Sequence, residues 1–148
     1  MPTIERTIST NAAAAQVWDY LSDFTSTNEW DPGTVRTSLV EGDGGPGTTY
    51  ENVSRFLGRE TTLIYTVLEA SAPTRLQLRG ENATVTATDT MTITAVGTGC
   101  RLHYRADIVG KGLLGRVDPL LSLPVLNRPF KRLGDGAEQG LEDALARL

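Results

Sequence analysis

Between residues 83 and 96 the chain alternates with a period of two. Thr84, Thr86, Thr88, Thr90, Thr92 and Thr94 fall on one side, and Val85, Ala87, Asp89, Met91, Ile93 and Ala95 on the other. A period of two is the signature of a strand, and a wettable β-branched face opposite an apolar one marks a sheet with one side in water. The same alternation recurs over residues 3–9, 35–41, 48–57, 61–70, 75–79 and 100–109, with Gly42 to Gly47, Gly58-Arg59, Ala72-Pro73, Gly80 to Asn82 and Gly97 to Gly99 as the turns. In the last of these strands Leu102, Tyr104, Ala106 and Ile108 share one face, and Arg101, His103, Arg105 and Asp107 the other. Short connections make the sheet antiparallel.

Two stretches change the period to three and four. Ala14, Val17, Trp18 and Leu21 predict a first helix over about 12–22, with Asn11 placed to cap it. A short helix or turn over 23–30 ends at Asp31-Pro32-Gly33. The long pattern is at the C-terminus, where Leu126, Phe130, Leu133, Ala137, Leu141, Leu145 and Leu148 form one stripe and Arg128, Lys131, Arg132, Asp135, Glu138, Gln139 and Glu142 the other face. Pro129 fits only in its first turn. Residues 110–129, broken by glycines and prolines, read as a loop with a short helix near 119–123. The order is strand, two helices, six strands, long helix, which is an α+β domain over residues 1–148 with the long helix across the apolar face of the sheet. Gly134, Ala137, Gly140 and Ala144 lie on or beside the helix seam. Small residues there either admit close backbone approach or leave space for a ligand. Beside a cavity, Ala137→Leu is expected to be neutral or stabilising; in a filled seam it destabilises.

Composition narrows the function classes. At 39% hydrophobic and 22% charged, the 148 residues suffice for one core. A net charge of -4 and a pI of about 5.0 argue against nucleic acid as a partner. No run approaches the ~20 apolar residues of a membrane span, and residues 1–8 do not read as a signal peptide. Cys100 and His103 are each the sole residue of their type, so no metal site is expected and the cytoplasm is the default compartment. The glycine-rich loop has no lysine-bearing helix after it and is not a phosphate loop.

Three stretches carry a family resemblance: Val17-Trp18-Asp19-Tyr20-Leu21-Ser22-Asp23-Phe24 followed by Glu29-Trp30-Asp31-Pro32; Gly45-Pro46-Gly47-Thr48-Thr49-Tyr50 with Gly58-Arg59; and Tyr65-Thr66-Val67-Leu68-Glu69 followed by Pro73-Thr74-Arg75-Leu76. In order and spacing they resemble the START-like, helix-grip (SRPBCC) superfamily and, within it, the small polyketide cyclase/dehydrase-like proteins. The resemblance implies a curved seven-stranded antiparallel sheet gripping the C-terminal helix, with a cavity between them for apolar molecules. Its members include lipid and hormone carriers, aromatic cyclases and coenzyme Q-related proteins.

Asp89 is the candidate for chemistry, because it interrupts the apolar face of the cleanest strand. A carboxylate there must be paired, protonated or near water. It is either a polar anchor or proton carrier in a cavity, or a structural group bonded to Tyr104 or Arg6. Tyr50, Asn52, Ser54 and Phe56 share a strand face that becomes a polar cavity wall if it turns inward. Tyr65, Met91 and Tyr104 from the sheet and Leu126, Phe130, Leu133 and Ala137 from the helix complete the expected lining. Trp30 is expected at the mouth as a gate or a staple, Trp18 in the core, and His103 solvated. Three functions compete: a binder of a small apolar or aromatic molecule without cofactor, a cyclase/dehydratase-type enzyme using Asp89 or a tyrosine, and a partner-binding protein with a vestigial pocket.

Overall fold

The computed structural model describes residues 2–112 and 128–148. Seven strands form one antiparallel sheet: β1 Thr3–Thr10, β2 Thr34–Glu41, β3 Thr49–Phe56, β4 Arg59–Ser71, β5 Arg75–Glu81, β6 Val85–Val96 and β7 Gly99–Gly110, in the spatial order β1-β7-β6-β5-β4-β3-β2. Between β1 and β2 lie α1, Ala14–Leu21, a 3-10 turn Phe24–Ser26 and α2, Thr27–Trp30; α3, Arg128–Ala146, ends the chain. This is the α+β helix grip that the alternation and the resemblance pointed to. The threonines of β6 face outward, while Ala87, Asp89, Met91 and Ile93 are buried. In β7, Leu102, Tyr104 and Ala106 are buried beside them. In β3 the Tyr50 and Asn52 face turns inward.

Several local expectations need correcting. Asn11 does not cap α1. The chain stays extended to Thr10, whose hydroxyl accepts from the N–H of Ala12, and the first helical turn is closed by Gln16, whose Oε1 accepts from the N–H of Ala13 at 3.1 Å. Within α1, Val17 and Leu21 carry the burial, whereas Trp18 is half-buried at the margin of the core. The β3–β4 turn is made by Leu57 and Gly58, both with positive φ (54° and 76°), and Arg59 already belongs to β4. Two left-handed residues match the twist of a two-residue hairpin. His103 lies on the outer face, but it is paired with Glu5 at 2.7 Å rather than merely solvated. Leu148 lies beyond α3 and is exposed. Leu126 and the short helix expected near residues 119–123 lie outside the described residues.

α3 packs along β1 and against α2, and its small residues serve close approach. A Cβ on Gly140 would collide with the main-chain carbonyl of Trp30. A Cβ on Gly134 would stand 2.7–2.9 Å from the Arg6 guanidinium and Ile4, and one on Gly136 would stand 2.9 Å from Pro32. Glycine in a helix interior costs about 1 kcal/mol each relative to alanine. Burial outweighs this: Leu141 and Leu145 are 0% and 1% exposed, and a fully buried leucine contributes about 1.5–3 kcal/mol. Arg6 clamps the helix to the edge strand through Asp135 at 2.9 Å and Glu138 at 3.1 Å.

Candidate functional site

The inward face of the sheet centre is apolar except at one point. Asp89 has Leu78 and Ala106 as cross-strand neighbours and Ala87 and Met91 on its own strand face, all buried. Its Oδ2 accepts a hydrogen bond from the Tyr104 hydroxyl at 3.2 Å. Among the described residues that is the carboxyl's one side-chain donor. Arg6, the cation on the neighbouring face of β1, pairs with the helix acids and not with Asp89. Burial therefore raises the Asp89 carboxyl from 3.8 to about 7, against the Tyr104 bond that lowers it, with the charges of Asp31 and Asp107 adding to the rise. A carboxyl poised near neutrality can give or take a proton at working pH.

Asp31 is the member of this site that the sequence did not single out. It follows α2, and its oxygens are held by the N–H of Gly33 at 2.9 Å and the Thr34 hydroxyl at 3.0 Å. Burial raises its pKa, opposed by those two bonds. Its charge reaches Asp89, Tyr65 and Tyr104 and helps to raise all three. For both tyrosines burial is the larger cause, followed by Asp89. In the sequence Asp31 reads as a turn residue before Pro32-Gly33; only the fold brings that turn over the sheet.

Asn52 is tied to Asp31 through a polar chain. Its Nδ2 donates to the Thr34 hydroxyl at 3.2 Å, and Thr34 in turn donates to Asp31. The same amide donates to Thr37 at 2.8 Å. Thr27 gives its single hydroxyl proton to the carbonyl of Phe24, so in the 2.6 Å Thr27–Thr37 contact Thr37 is the donor. Both amide hydrogens of Asn52 are thus taken by the scaffold, and Asn52 acts by holding the β2 side of the site.

The aromatic candidates separate into groups. Trp30 is 1% exposed, donates from Nε1 to Ser26 at 3.1 Å and meets the Tyr104 ring edge-on at 5.7 Å. It is a staple beneath the α2 turn, not a gate. Tyr65 lies flat over Gly80, its cross-strand partner, where a Cβ would stand 2.6–2.8 Å from the ring. Phe24 packs on Tyr65 at 4.8 Å and on Tyr50 at 5.7 Å. Tyr50 opens toward a surface hollow of about 480 Å³ beside Trp18, Leu39 and the glycine loop, not toward Asp89. Phe56 and Phe130 pack with their rings tilted by 40° and 4.8 Å apart where β3 meets the start of α3, with Ser54 half-buried on the same strand face. Leu133 packs against Gly33, and Ala137 is buried in the seam. The structure thus groups Asp89, Tyr104, Met91, Trp30 and Tyr65 with Asp31 and joins Asn52 to Asp31 through Thr34, while Tyr50, the cross-strand partner of Tyr65, faces the hollow by the glycine loop and Phe56 faces the start of α3. A second hollow, of about 840 Å³, lies at the opposite end, between the close of β1, the β6–β7 turn and the last turn of α3, and it does not reach Asp89.

The fold is that of a START-like helix-grip protein. The chain belongs to the family described as polyketide cyclase / dehydrase and lipid transport, which matches residues 1–147. Its architecture is similar to that of a START superfamily protein from Mycobacterium smegmatis (TM-score 0.76, 15% identity, 97% of this chain and 96% of that one). It is also similar to the ZhuI aromatase/cyclase from Streptomyces (TM-score 0.77, 15% identity, 97% and 93%) and to a protein from Thermus thermophilus (TM-score 0.78, 13% identity, 97% of both chains). No curated protein matches the chain. No helix among the described residues is long and apolar enough to cross a membrane.

Proposed function

We propose that the protein binds a small apolar or aromatic molecule between the sheet and α3, with the Asp89–Tyr104 pair as its polar anchor. The observation that carries this reading is a carboxyl buried among Leu78, Ala87, Met91 and Ala106 with, among the described residues, one phenol as its donor. A fold with no use for that carboxyl would be more stable with an apolar residue there, because a buried polar group that lacks partners costs free energy. The neutral dye Nile red is expected to bind saturably and to be displaced by a neutral aromatic molecule. Asp89→Leu, similar in size but without a hydrogen-bonding group, is expected to weaken that binding roughly fivefold, in line with the ~1 kcal/mol of a lost hydrogen bond. Equal affinity in a folded Asp89→Leu variant would place the ligand elsewhere.

Asp89, poised near neutrality, favours one second reading, a cyclase- or dehydratase-type enzyme in which it carries a proton. On that reading Asp89→Asn keeps ligand affinity and abolishes turnover. On the binding reading there is no turnover to lose.

A further inference from the structure

We propose that the interior selects by charge, admitting a neutral molecule that accepts a hydrogen bond and excluding the carboxylate of the same skeleton. The proposal rests on the binding reading above and adds the ligand's charge class.

Its basis is the inventory of groups around Asp89, element by element. From β7 come Tyr104, which donates to it, and Asp107, which is held on the outer face by Arg105 and Thr3. From β4 comes Tyr65, and from the turn after α2 comes Asp31. From β1 comes Arg6, already engaged by Asp135 and Glu138 of α3. Among the described residues the interior therefore offers two carboxyls and two phenols, and the guanidinium of Arg6 is turned toward the helix acids. A site for an anionic lipid or acid needs a cation or converging N–H groups to replace the water that the anion loses. Here an entering carboxylate would meet like charge in a medium that screens it poorly. Apolar walls add to this exclusion, since they too leave a carboxylate without partners, and the Asp89→Asn comparison separates the repulsion from that desolvation.

A neutral carbonyl meets the opposite situation. Tyr104 already occupies Oδ2, so a protonated Asp89 can donate to the ligand oxygen while its other oxygen accepts from the phenol. Asp31 cannot substitute for it, because both of its oxygens are bound by Gly33 and Thr34. The exclusion is therefore assigned to the lack of a compensating cation together with the ionised fraction of Asp89 and the charge of Asp31, while the ketone needs no such compensation.

The test uses a matched pair, an acetylnaphthalene and the naphthoate with its carboxylate at the same ring position, titrated calorimetrically into the full chain near neutral pH. The ketone is expected to bind at least about tenfold more tightly than the carboxylate. In Asp89→Asn, which keeps the shape and a donor but not the charge, naphthoate affinity is expected to rise and the ratio to shrink. Naphthoate binding as tight as that of the ketone to the native chain would leave the binding reading standing and overturn the charge selection. Saturation by neither compound would remove the binding reading and the selection with it.

Discussion

Gly140→Ala is expected to destabilise the fold by about 3 kcal/mol or more, a large share of the stability of a domain this size. The added carbon would occupy the position of the Trp30 carbonyl, and neither partner can yield cheaply. The Trp30 backbone is fixed from three directions: its indole is bonded to Ser26, its ring is packed on Tyr104, and the next residue's N–H donates to Thr27. The glycine side is fixed by Leu141 and Leu145 in the core and by the Arg6 clamp. Alanine is intrinsically the better helix former by about 1 kcal/mol, so the sign of the change separates helix propensity from close packing. Ala137→Leu, in the same seam, is now expected to cost about 1–3 kcal/mol instead of being neutral or stabilising. Chemical denaturation of both variants checks this. A gain in stability at either position would show that the seam contains free space.

Asp89→Asn is expected to stabilise the protein in alkaline solution and leave it nearly unchanged in acid. In the unfolded chain this carboxyl ionises near 3.8, and in the fold near 7. Below the lower value both states are protonated and the stability of the native chain is complete. Between the two, the unfolded chain gives up its proton while the folded one keeps it, so stability falls as pH rises and levels off above about 7. The rise from 3.8 to about 7 corresponds to an upper bound on the order of 4 kcal/mol. Asparagine resembles the protonated acid in shape and never ionises, so the variant should lack this decline. Asp31 is raised in the same direction and should leave a residual slope of the same sign. Denaturation midpoints from acid to mildly alkaline pH measure it directly. Parallel curves for the two proteins would mean that Asp89 is not held in this environment.

The fold was legible because most of its strands alternate cleanly. The threonine row of β6 and the Leu102–Ile108 face of β7 set which side is wet, and that placed Asp89 and Tyr104 on one inward surface. The polar wall of β3 was only half legible. Its face could be read, but whether Asn52 serves a ligand or the scaffold depends on Thr34, Thr37 and Thr27 from β2 and α2, which no local pattern brings together. Asp31 escaped for the same reason. An Asp-Pro-Gly turn looks alike in water and over a sheet, and only the contact of α3 with Trp30, Pro32 and Gly33 closes it inward. The small residues of the seam were visible as a pattern, but their meaning turned on backbone distances. Asn11 illustrates the opposite case, a sound local signal overridden when β1 pairs with β7 as far as Thr10↔Cys100.

The central claim is that ligand and proton meet at Asp89. Carbon-detected NMR of protein labelled at the aspartate carboxyls, titrated with acid and base and then with the acetylnaphthalene, tests it most directly. The account predicts an aspartate carboxyl titrating near 7, absent in Asp89→Asn, whose resonance moves as the ketone saturates the protein. A carboxyl set titrating entirely in the ordinary acidic range, or an Asp89 resonance unmoved at saturation, would contradict it.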